Sequence, residues 1–409
     1  MKKNLRFFVV DDDPVSAKLI AKLLKDEGHE ASYRTSSADA LPEIIKRQPD
    51  CVLLDIMMPE IDGLELCKRL RRESPLDKTK IIVVSGKSYE TDRQQAFASG
   101  ADGYILKPVD RKRFFKQVKK FVEDRIELAF WGVRGTLPLP GKDSVKYGGN
   151  TSCISLGFAR GNFFIFDAGT GIKSLSDHLM AEERGPIEAK IFISHPHWDH
   201  INALPFFAPL YIQSNEFEIC GPAHGDVVLR DLIFGQMDGI HFPIKIKEFS
   251  SRVYYRDLKE EEFEIDGIII KTMLLNHPGH CLGFRVEYKD RSVCYVTDNE
   301  LYPESSQFYN KTYLNKLTNF IKGTDALVTD CTYTDDEYES KISWGHSSIS
   351  QVVDLADRAE VKNLYLVHHD PGQTDADIET KLETAQSLMK KRKSKTRCLA
   401  PQEGQIFKI

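Results

Sequence analysis

Residues 195–200 read His-Pro-His-Trp-Asp-His, which puts three imidazoles and a carboxylate within six positions, directly after the apolar, β-rich run Lys190-Ile191-Phe192-Ile193-Ser194. Side chains two apart on extended backbone point the same way, so His195 and His197 can converge on one ion from a strand-end loop. Asp199 and His200 open the next segment, Ile201-Asn202-Ala203-Leu204, and can face a second ion beside the first. Imidazole nitrogen and carboxylate oxygen suit zinc, and also iron or manganese. Further donors close other strand-like runs: His277 after Leu274-Leu275-Asn276, Asp298 after Tyr295-Val296-Thr297, and His368 after Leu364-Tyr365-Leu366-Val367. Metal sites need such positions, because a rigid scaffold must aim the ligands. His280 and His369 rival their neighbours; the spacing to Gly283 and the strand phase before residue 368 favour His277 and His368. His178, His224 and His241 stand alone and read as surface or core residues.

A second set of polar residues stands near the other end of the chain. Asp11, Asp12 and Asp13 follow one apolar run, Asp55 a second, Ser85 a third and Lys107 a fourth. Carboxylates gathered at one sheet edge repel unless a divalent cation joins them, and hard oxygen ligands suit magnesium. A lysine and a hydroxyl beside that cation can neutralise and hydrogen-bond a phosphoryl group. Asp13 is a bystander or a weak ligand.

The elements that must position the acidic set alternate. Strands over 5–10, 31–34, 51–54, 81–84 and 103–106 are each followed by helical periodicity, as over 15–27 and 63–73. Five strands and five helices in about 120 residues predict a doubly wound, flavodoxin-like α/β domain with a five-stranded parallel sheet, which binds ligands at the strands' carboxyl ends. Beyond residue 125, strand patterns recur over 126–131, 154–158, 163–167, 191–194, 268–275, 284–288, 293–297, 326–329 and 363–367, with helices between some of them, notably over 348–360. The chain thus divides into residues 1–124 and 125–409. His29 is the only histidine before residue 178, so the imidazole chemistry belongs to the second part. Between Val109 and Gly132 there is no Gly, Pro or Ser, and Phe114, Phe115, Val118, Phe121 and Val122 lie on one helical face. That helix runs into strand 126–131 without slack, as a rigid tether or as a transmitter of the first domain's state.

The first domain resembles the receiver domain of two-component response regulators, through Val9-Val10-Asp11-Asp12-Asp13-Pro14, Leu54-Asp55-Ile56-Met57-Met58-Pro59, Asp62-Gly63, Val84-Ser85-Gly86 and Lys107-Pro108. The resemblance implies Asp55 as phospho-acceptor, with a sensor histidine kinase as phosphodonor. It implies magnesium held by Asp11, Asp12, Asp55 and the Met57 carbonyl, and Ser85, Tyr104 and Lys107 as the switch residues.

The His-x-His-x-Asp-His cluster resembles the signature of the metallo-β-lactamase superfamily, which implies an αββα sandwich. Carried over, His195, His197 and His277 hold one metal, Asp199, His200 and His368 the other, and Asp298 bridges them; zinc leads, with iron or manganese as alternatives. Asp167, in Phe166-Asp167-Ala168-Gly169-Thr170-Gly171, resembles the aspartate that supports the metal loop from behind. Trp344-Gly345-His346-Ser347-Ser348, before a helix that Ser348 and Gln351 can cap, resembles the Gly-His-Ser element of the ribonuclease Z and cyclic-phosphodiesterase branch. There the histidine donates a proton to the leaving oxygen. Trp131-Gly132-Val133-Arg134-Gly135, Gly148-Gly149-Asn150-Thr151-Ser152 and Thr332-Tyr333-Thr334-Asp335 extend the likeness to bacterial metal-dependent hydrolases near that branch. The reading is a phosphorylation-controlled dinuclear phosphodiesterase with His346, Asp199 and Asp298 as catalytic residues and a small phosphodiester or cyclic nucleotide as substrate. Two alternatives stay open: acyl hydrolysis of a lactone, thioester or lactam, and a non-hydrolytic diiron sensor of oxygen or redox state. Asp298 in place of a cysteine argues against the zinc β-lactamases proper, and His197 in place of a glutamate against the diiron flavoproteins. No Gly-Pro-rich arm for holding tRNA is present.

Composition bounds the rest. A net charge of −5 gives no global attraction to nucleic acid. The exception is the run Lys390-Lys391-Arg392-Lys393-Ser394-Lys395-Thr396-Arg397, which reads as the end of a helix over 377–389 or as a polyanion patch. The eight cysteines form no CxxC pair, which predicts reduced thiols in a cytoplasm. No apolar run suits a membrane span or a signal peptide. A homodimer is compatible with all of this.

Overall fold

The computed structural model describes residues 4–181, 185–240, 243 and 248–409; His241 lies outside them. By internal contacts the chain forms two compact units, Met1–Arg125 with Phe158–Gly161, and Ile126–Gly157 with Asn162–Ile409.

In the first unit the strands are Arg6–Val10 (β1), Glu30–Arg34 (β2), Cys51–Leu54 (β3), Lys80–Ser85 (β4) and Gly103–Leu106 (β5). All pair in parallel, in the order β2-β1-β3-β4-β5. Alternation sends Phe8, Val10, Val52 and Leu54 to one face, where they pack on Ala40, Ile44 and Leu66 of helices Ser37–Arg47 and Gly63–Arg71. Phe7, Val9 and Leu53 point the other way, onto Ile20 and Leu24 of helix Pro14–Asp26 and Phe114 and Val118 of helix Phe114–Glu123. Both faces are covered, which is why β1 is apolar after Arg6 and β3 apolar throughout. Asp13 caps the first helix by accepting from Val15 N and Ser16 N, and Pro14 occupies its first turn. Asp13 thus has its own structural task beside Asp11 and Asp12. Chain order reverses at β1, so Asp11 and Asp55 end neighbouring strands at the point where such sheets bind ligands.

The second unit holds two seven-stranded sheets. One contains Glu127–Gly132 (β6), Cys153–Gly157 (β7), Phe163–Phe166 (β8), Glu188–Phe192 (β9), Glu216–Pro222 (β10) and Arg252–Leu258 (β11). The other contains Glu262–Ile265 (β12), Ile268–Leu274 (β13), Leu282–Tyr288 (β14), Arg291–Val296 (β15), Ala326–Asp330 (β16), Asn363–Val367 (β17) and Arg397–Leu399 (β18); Ile406–Lys408 (β19) returns to the first sheet. Their orders are β11-β10-β9-β8-β7-β6-β19 and β12-β13-β14-β15-β16-β17-β18. Phe166 and Phe192 of the first sheet meet Phe284 and Tyr295 of the second, with ring centroids 5.4–5.7 Å apart, so aromatic rings fill the space between the sheets. Burying each phenyl contributes roughly 1.5–3 kcal/mol. The outer face of the first sheet is covered by helix Gly171–Ala181 through Ile172, Leu175 and Leu179. The outer face of the second is covered by helices Lys311–Ile321, Ile349–Arg358 and Asp375–Arg392 through Leu317, Val352, Val353 and Ala385. The architecture is an αββα sandwich.

Strands β10, β11 and β12 depart from the sequence expectation, which placed no strand there. Glu216 and Glu218 break the apolar run of β10 because alternate positions face outward, and β11 and β12 are half-exposed. The expected strand over 191–194 sits earlier, at β9; Ile193 and Ser194 lie past its end, where Ile193 N still bonds Cys220 O. The helix expected over 377–389 spans Asp375–Arg392, with Lys390, Lys391 and Arg392 in its last turn and Arg392 paired with Asp354. All eight cysteines are free and buried. No described helix is long and apolar enough to cross a membrane.

Candidate metal centre and acidic pocket

Seven expected ligands of the second unit come together from separate strand ends. His195, His197, Asp199 and His200 follow β9, His277 follows β13, Asp298 follows β15 and His368 follows β17. The seven expected donors fall into two groups that share Asp298, and a third set, Asp298, Asp330, His346 and His368, also brings its donor atoms within 4.8 Å of one another. In the first, His197 Nδ1 lies 2.9 Å from His195 Nε2 and 3.2 Å from His277 Nε2, with Asp298 Oδ2 3.6 and 3.8 Å from the same two Nε2 atoms. In the second, Asp199 Oδ2 is 3.2 Å from Nε2 of both His200 and His368, and Asp298 Oδ1 is 3.3 and 3.2 Å from them. One carboxylate therefore presents one oxygen to each group.

Outward hydrogen bonds set the tautomers, and these test whether cations suit the site. His277 Nδ1 is 2.9 Å from the Gly345 carbonyl, which can only accept, so Nδ1 carries the proton and Nε2 a lone pair. His200 Nδ1 lies 2.8 Å from Asp167 Oδ2, with the same consequence. His195 Nδ1 faces Ser194 Oγ, which donates to Asp167, and His368 Nδ1 faces Thr332 Oγ1. Inward-facing lone pairs about 3 Å apart repel, as do the carboxylates among them, and a cation between them reverses the sign of every contact. Among the described residues no Lys or Arg pairs with Asp199 or Asp298. The donor set fits two divalent ions, as imidazole and carboxylate suit zinc, iron or manganese.

Backbone strain concentrates here. Asp167, Asp298 and His368 are non-glycine residues with φ of 62°, 29° and 59°. Left-handed conformations cost roughly 1–2 kcal/mol each and persist where the surroundings over-determine them. At Gly135 a Cβ would fall 2.2 Å from the His368 ring, and at Gly345, φ 86°, 2.3 Å from His277 Nδ1. Only glycine lets the backbone lie this close to both ligands.

His346 adjoins the second group, its ring stacked on His368 at 4.9 Å and 5.3 Å from His277. Its Nδ1 is 2.8 Å from Asp330 Oδ2. Burial disfavours a charged imidazole, but Asp330, with Asp298 and Asp199 beyond it, raises His346 to about 9. The helix Ile349–Arg358 begins just beyond, with Gln351 accepting from Ser348 N. Asp330 went unnoticed in the sequence, although it ends a strand as Asp298 does. It also accepts from Thr332 N, Thr332 Oγ1 and Asn299 N, so one buried carboxylate serves both His346 and the residue behind His368. Glu300 is the other omission: buried, it accepts from Ser343 N, Gly345 N and Tyr338 Oη, pinning the loop that carries His346. Asp167 is saturated by Ser194 N, Ser194 Oγ, Tyr295 Oη and His200 Nδ1.

The rival histidines fall outside the donor groups. His280 packs beside His224 with centroids 5.6 Å apart, and His369 is buried away from the centre. His178 lies on helix Gly171–Ala181 against Trp131.

In the first unit Asp11, Asp12 and Asp55 present oxygens within 4.8 Å of one another. Lys107 Nζ sits 2.8 Å from both Asp11 Oδ2 and Asp55 Oδ2, and these hydrogen bonds outweigh burial and raise its pKa. Asp55 Oδ1 accepts from Ile56 N, and Met57, two residues on, has an exposed side chain. Ser85 is buried, and Tyr104 Oη donates to the Lys87 carbonyl.

An αββα fold with paired His/Asp donor groups at its strand ends, preceded by a doubly wound domain with an acidic pocket, defines a two-part protein class. A family model described as the beta-lactamase superfamily domain matches residues 162–369, just over half of the chain, and one described as the response regulator receiver domain matches residues 7–119. The chain belongs to the β-lactamase superfamily and carries a response regulator receiver domain. The DNA-binding dual master transcriptional regulator RpaA of Synechocystis is 30% identical over 126 residues, 30% of this chain and 52% of RpaA. The polar-differentiation response regulator DivK of Brucella ovis is 30% identical over 116 residues, 28% of this chain and 94% of DivK. The chain spans about half the length of the first curated relatives it matches. The metallo-β-lactamase fold protein YhfI of Bacillus subtilis covers 70% of this chain and 100% of its own, with TM-score 0.51 and 16% identity, a likeness of fold.

Proposed function

We propose that this protein is a response regulator whose output domain is a dinuclear metal-dependent phosphodiesterase. The carrying observation is His346, held by Asp330 against both His277 and His368, at the edge of two donor groups joined by Asp298. His195, His197, His277 and Asp298 would hold one ion, and Asp199, His200, His368 and Asp298 the other. Bound there, such a pair of ions supplies Lewis acidity and activates water at neutral pH.

The chain's own residues do the remainder. Asp330 accepts a hydrogen bond from His346 Nδ1–H, which fixes the ring and favours its cationic form, so that Nε2–H can pass to the leaving oxygen and leave a neutral imidazole. Asp167, Ser194, Thr332 and the Gly345 carbonyl hold four ligand rings in the tautomer that turns Nε2 inward. A proton donor at that position matters most for a poor leaving group such as an alkoxide, which argues against thioesters, whose thiolate departs without it. The acidic pocket supplies regulation: a sensor kinase phosphorylates Asp55 in magnesium held by Asp11, Asp12, Asp55 and the Met57 carbonyl, and Ser85, Tyr104 and Lys107 respond. Three residues separate helix Phe114–Glu123 from β6, so little chain is available to absorb a change in that helix.

Metal-defined protein should hydrolyse cyclic nucleotides or small phosphodiesters and leave lactones, lactams and thioesters intact. Turnover of an acyl panel with none of the diesters would transfer the site to acyl chemistry. An absorption spectrum of an oxo-bridged diiron pair without hydrolysis would favour the redox sensor.

A further inference from the structure

The floor of the metal centre and its rim are chemically opposite. The floor is histidine and aspartate, whereas three apolar side chains project from the backbone that holds it: Leu137 and Trp344, each 59% exposed, and Trp198, 81% exposed. Each is tied to the donor set. Leu137 follows Thr136, whose N–H donates to Asp199 Oδ2 at 2.7 Å. Trp198 stands between His197 and Asp199. Trp344 precedes Gly345, whose carbonyl faces His277 Nδ1, and lies two residues before His346.

His197 is the exposed member of its donor group, so the centre opens beside Trp198. Ring-to-ring distances of 5.0 Å from His197 to His277 and 5.3 Å from His277 to His346 carry that opening to the Trp344 loop. Lys341 Nζ lies 3.9 Å from the Trp344 ring centroid, a cation–π contact that holds the indole by one face. The chain has three tryptophans. The third, Trp131, is 6% exposed and donates Nε1 to Ser155 Oγ in the core. An indole left in water forfeits a large burial gain, and both exposed indoles stand on the segments that carry the donor residues. A polar floor under an apolar rim matches a ligand with a charged centre and a flat apolar part.

We infer that Trp344 and Trp198 are specificity-determining residues, a stacking rim that selects phosphodiesters bearing a planar aromatic group, either a nucleobase or a simple aryl ring. The inference rests on the phosphodiesterase reading for its substrates. Flat indole faces favour a ring over an alkyl chain, because a ring meets them with its whole π-face.

The test uses the full-length, metal-loaded chain and its Trp344→Ala, Trp198→Ala and Trp344→Phe variants. Substrates are 2′,3′-cyclic adenosine monophosphate, methyl p-nitrophenyl phosphate, glycerol 1,2-cyclic phosphate and a long-chain alkyl phosphodiester. Trp344→Ala should reduce the kcat/KM ratio of ring-bearing to ring-free esters about 5- to 150-fold, mainly through KM, with Trp344→Phe retaining most of it. A fall confined to the nucleotide identifies a nucleobase, and an equal fall with the aryl ester identifies aromatic rings in general. An unchanged ratio, or a loss as large with the alkyl ester, overturns the rim.

Tryptophan emission provides a readout independent of turnover, because the two exposed indoles report contact while Trp131 is shielded. Adenosine 5′-monophosphate should quench the wild type more than Trp344→Phe, and ribose 5-phosphate should quench neither. Quenching without hydrolysis of any diester upholds the rim and removes the catalytic reading. Hydrolysis without discrimination or quenching removes the rim alone.

Discussion

The acidic pocket at the end of β1 and β3 and the histidine-rich centre of the sandwich are both built at strand ends, yet they balance charge in different ways. In the pocket, three carboxylates are accompanied by Lys107, whose ammonium touches Asp11 and Asp55. In the centre, the only ionisable partners of Asp199 and Asp298 among the described residues are imidazoles, with neutral donors at Thr136 N and Thr297 Oγ1. A pocket with a resident cation can gain and lose a divalent ion or a phosphoryl group at small energetic difference, which suits a switch. A centre whose lone pairs face one another without a cationic side chain calls for cations that stay, which fits the catalytic metals proposed for it. Donor type follows: oxygen alone for magnesium, nitrogen with oxygen for zinc, iron or manganese.

The sharpest way to break this contrast is at the bridge. Asp298→Ala removes one oxygen from each donor group, so metal content should fall and turnover should drop below detection. Elemental analysis beside an activity assay reads both, and a variant with two ions and full activity would sink the dinuclear reading. Next in size, His346→Ala touches none of the seven expected ligands and should keep both ions while slowing turnover about 10²–10⁴-fold. The loss should shrink for a nitrophenolate leaving group, which needs less protonation; equal losses for good and poor leaving groups would make His346 a positioning residue.

A smaller effect is expected from the pocket. Beryllofluoride with magnesium should mimic phospho-Asp55 and change hydrolase activity or self-association by about 5- to 150-fold, the span of a typical coupling free energy of 1–3 kcal/mol. Asp55→Asn is the blank for activity and oligomer mass. Binding of beryllofluoride with neither quantity altered would point to recruitment of a partner. The smallest effect tests the resident cation itself. Lys107→Met should tighten magnesium binding severalfold, since an ion pair of this kind is worth roughly 1 kcal/mol. Titration of the magnesium-dependent melting temperature checks it; weaker binding would mean that Lys107 orders the pocket rather than competing for it.

Much of both sites could be read from local pattern. His195, His197, Asp199 and His200 are close in sequence, and His277, Asp298 and His368 each end an apolar run, so strand periodicity exposed them. Asp11, Asp55, Ser85 and Lys107 obeyed the same logic in a sheet whose buried strands are almost wholly apolar. Strands β10 to β12 escaped because outward-facing glutamates and half-exposed positions dilute the pattern. Asp330 and Glu300 escaped because a strand-end aspartate or a lone glutamate carries no mark of what it will hold.

What the sequence alone determined was the donor inventory, the two-part organisation and the strand ends, since these depend on residue type and on periodicities of two and 3.6. Only the tertiary structure decided which donors fall into one group and which nitrogen of each ring faces inward, and it placed His277 and His368, which the sequence favoured, in the groups rather than His280 and His369. It also decided that Asp330 stands behind His346 and that Trp198 and Trp344 are exposed while Trp131 is buried. Those facts depend on segments up to 169 residues apart, as between Asp199 and His368, meeting at angstrom distances. Such meetings are set by sheet order and by the aromatic packing between the sheets, neither of which local sequence encodes.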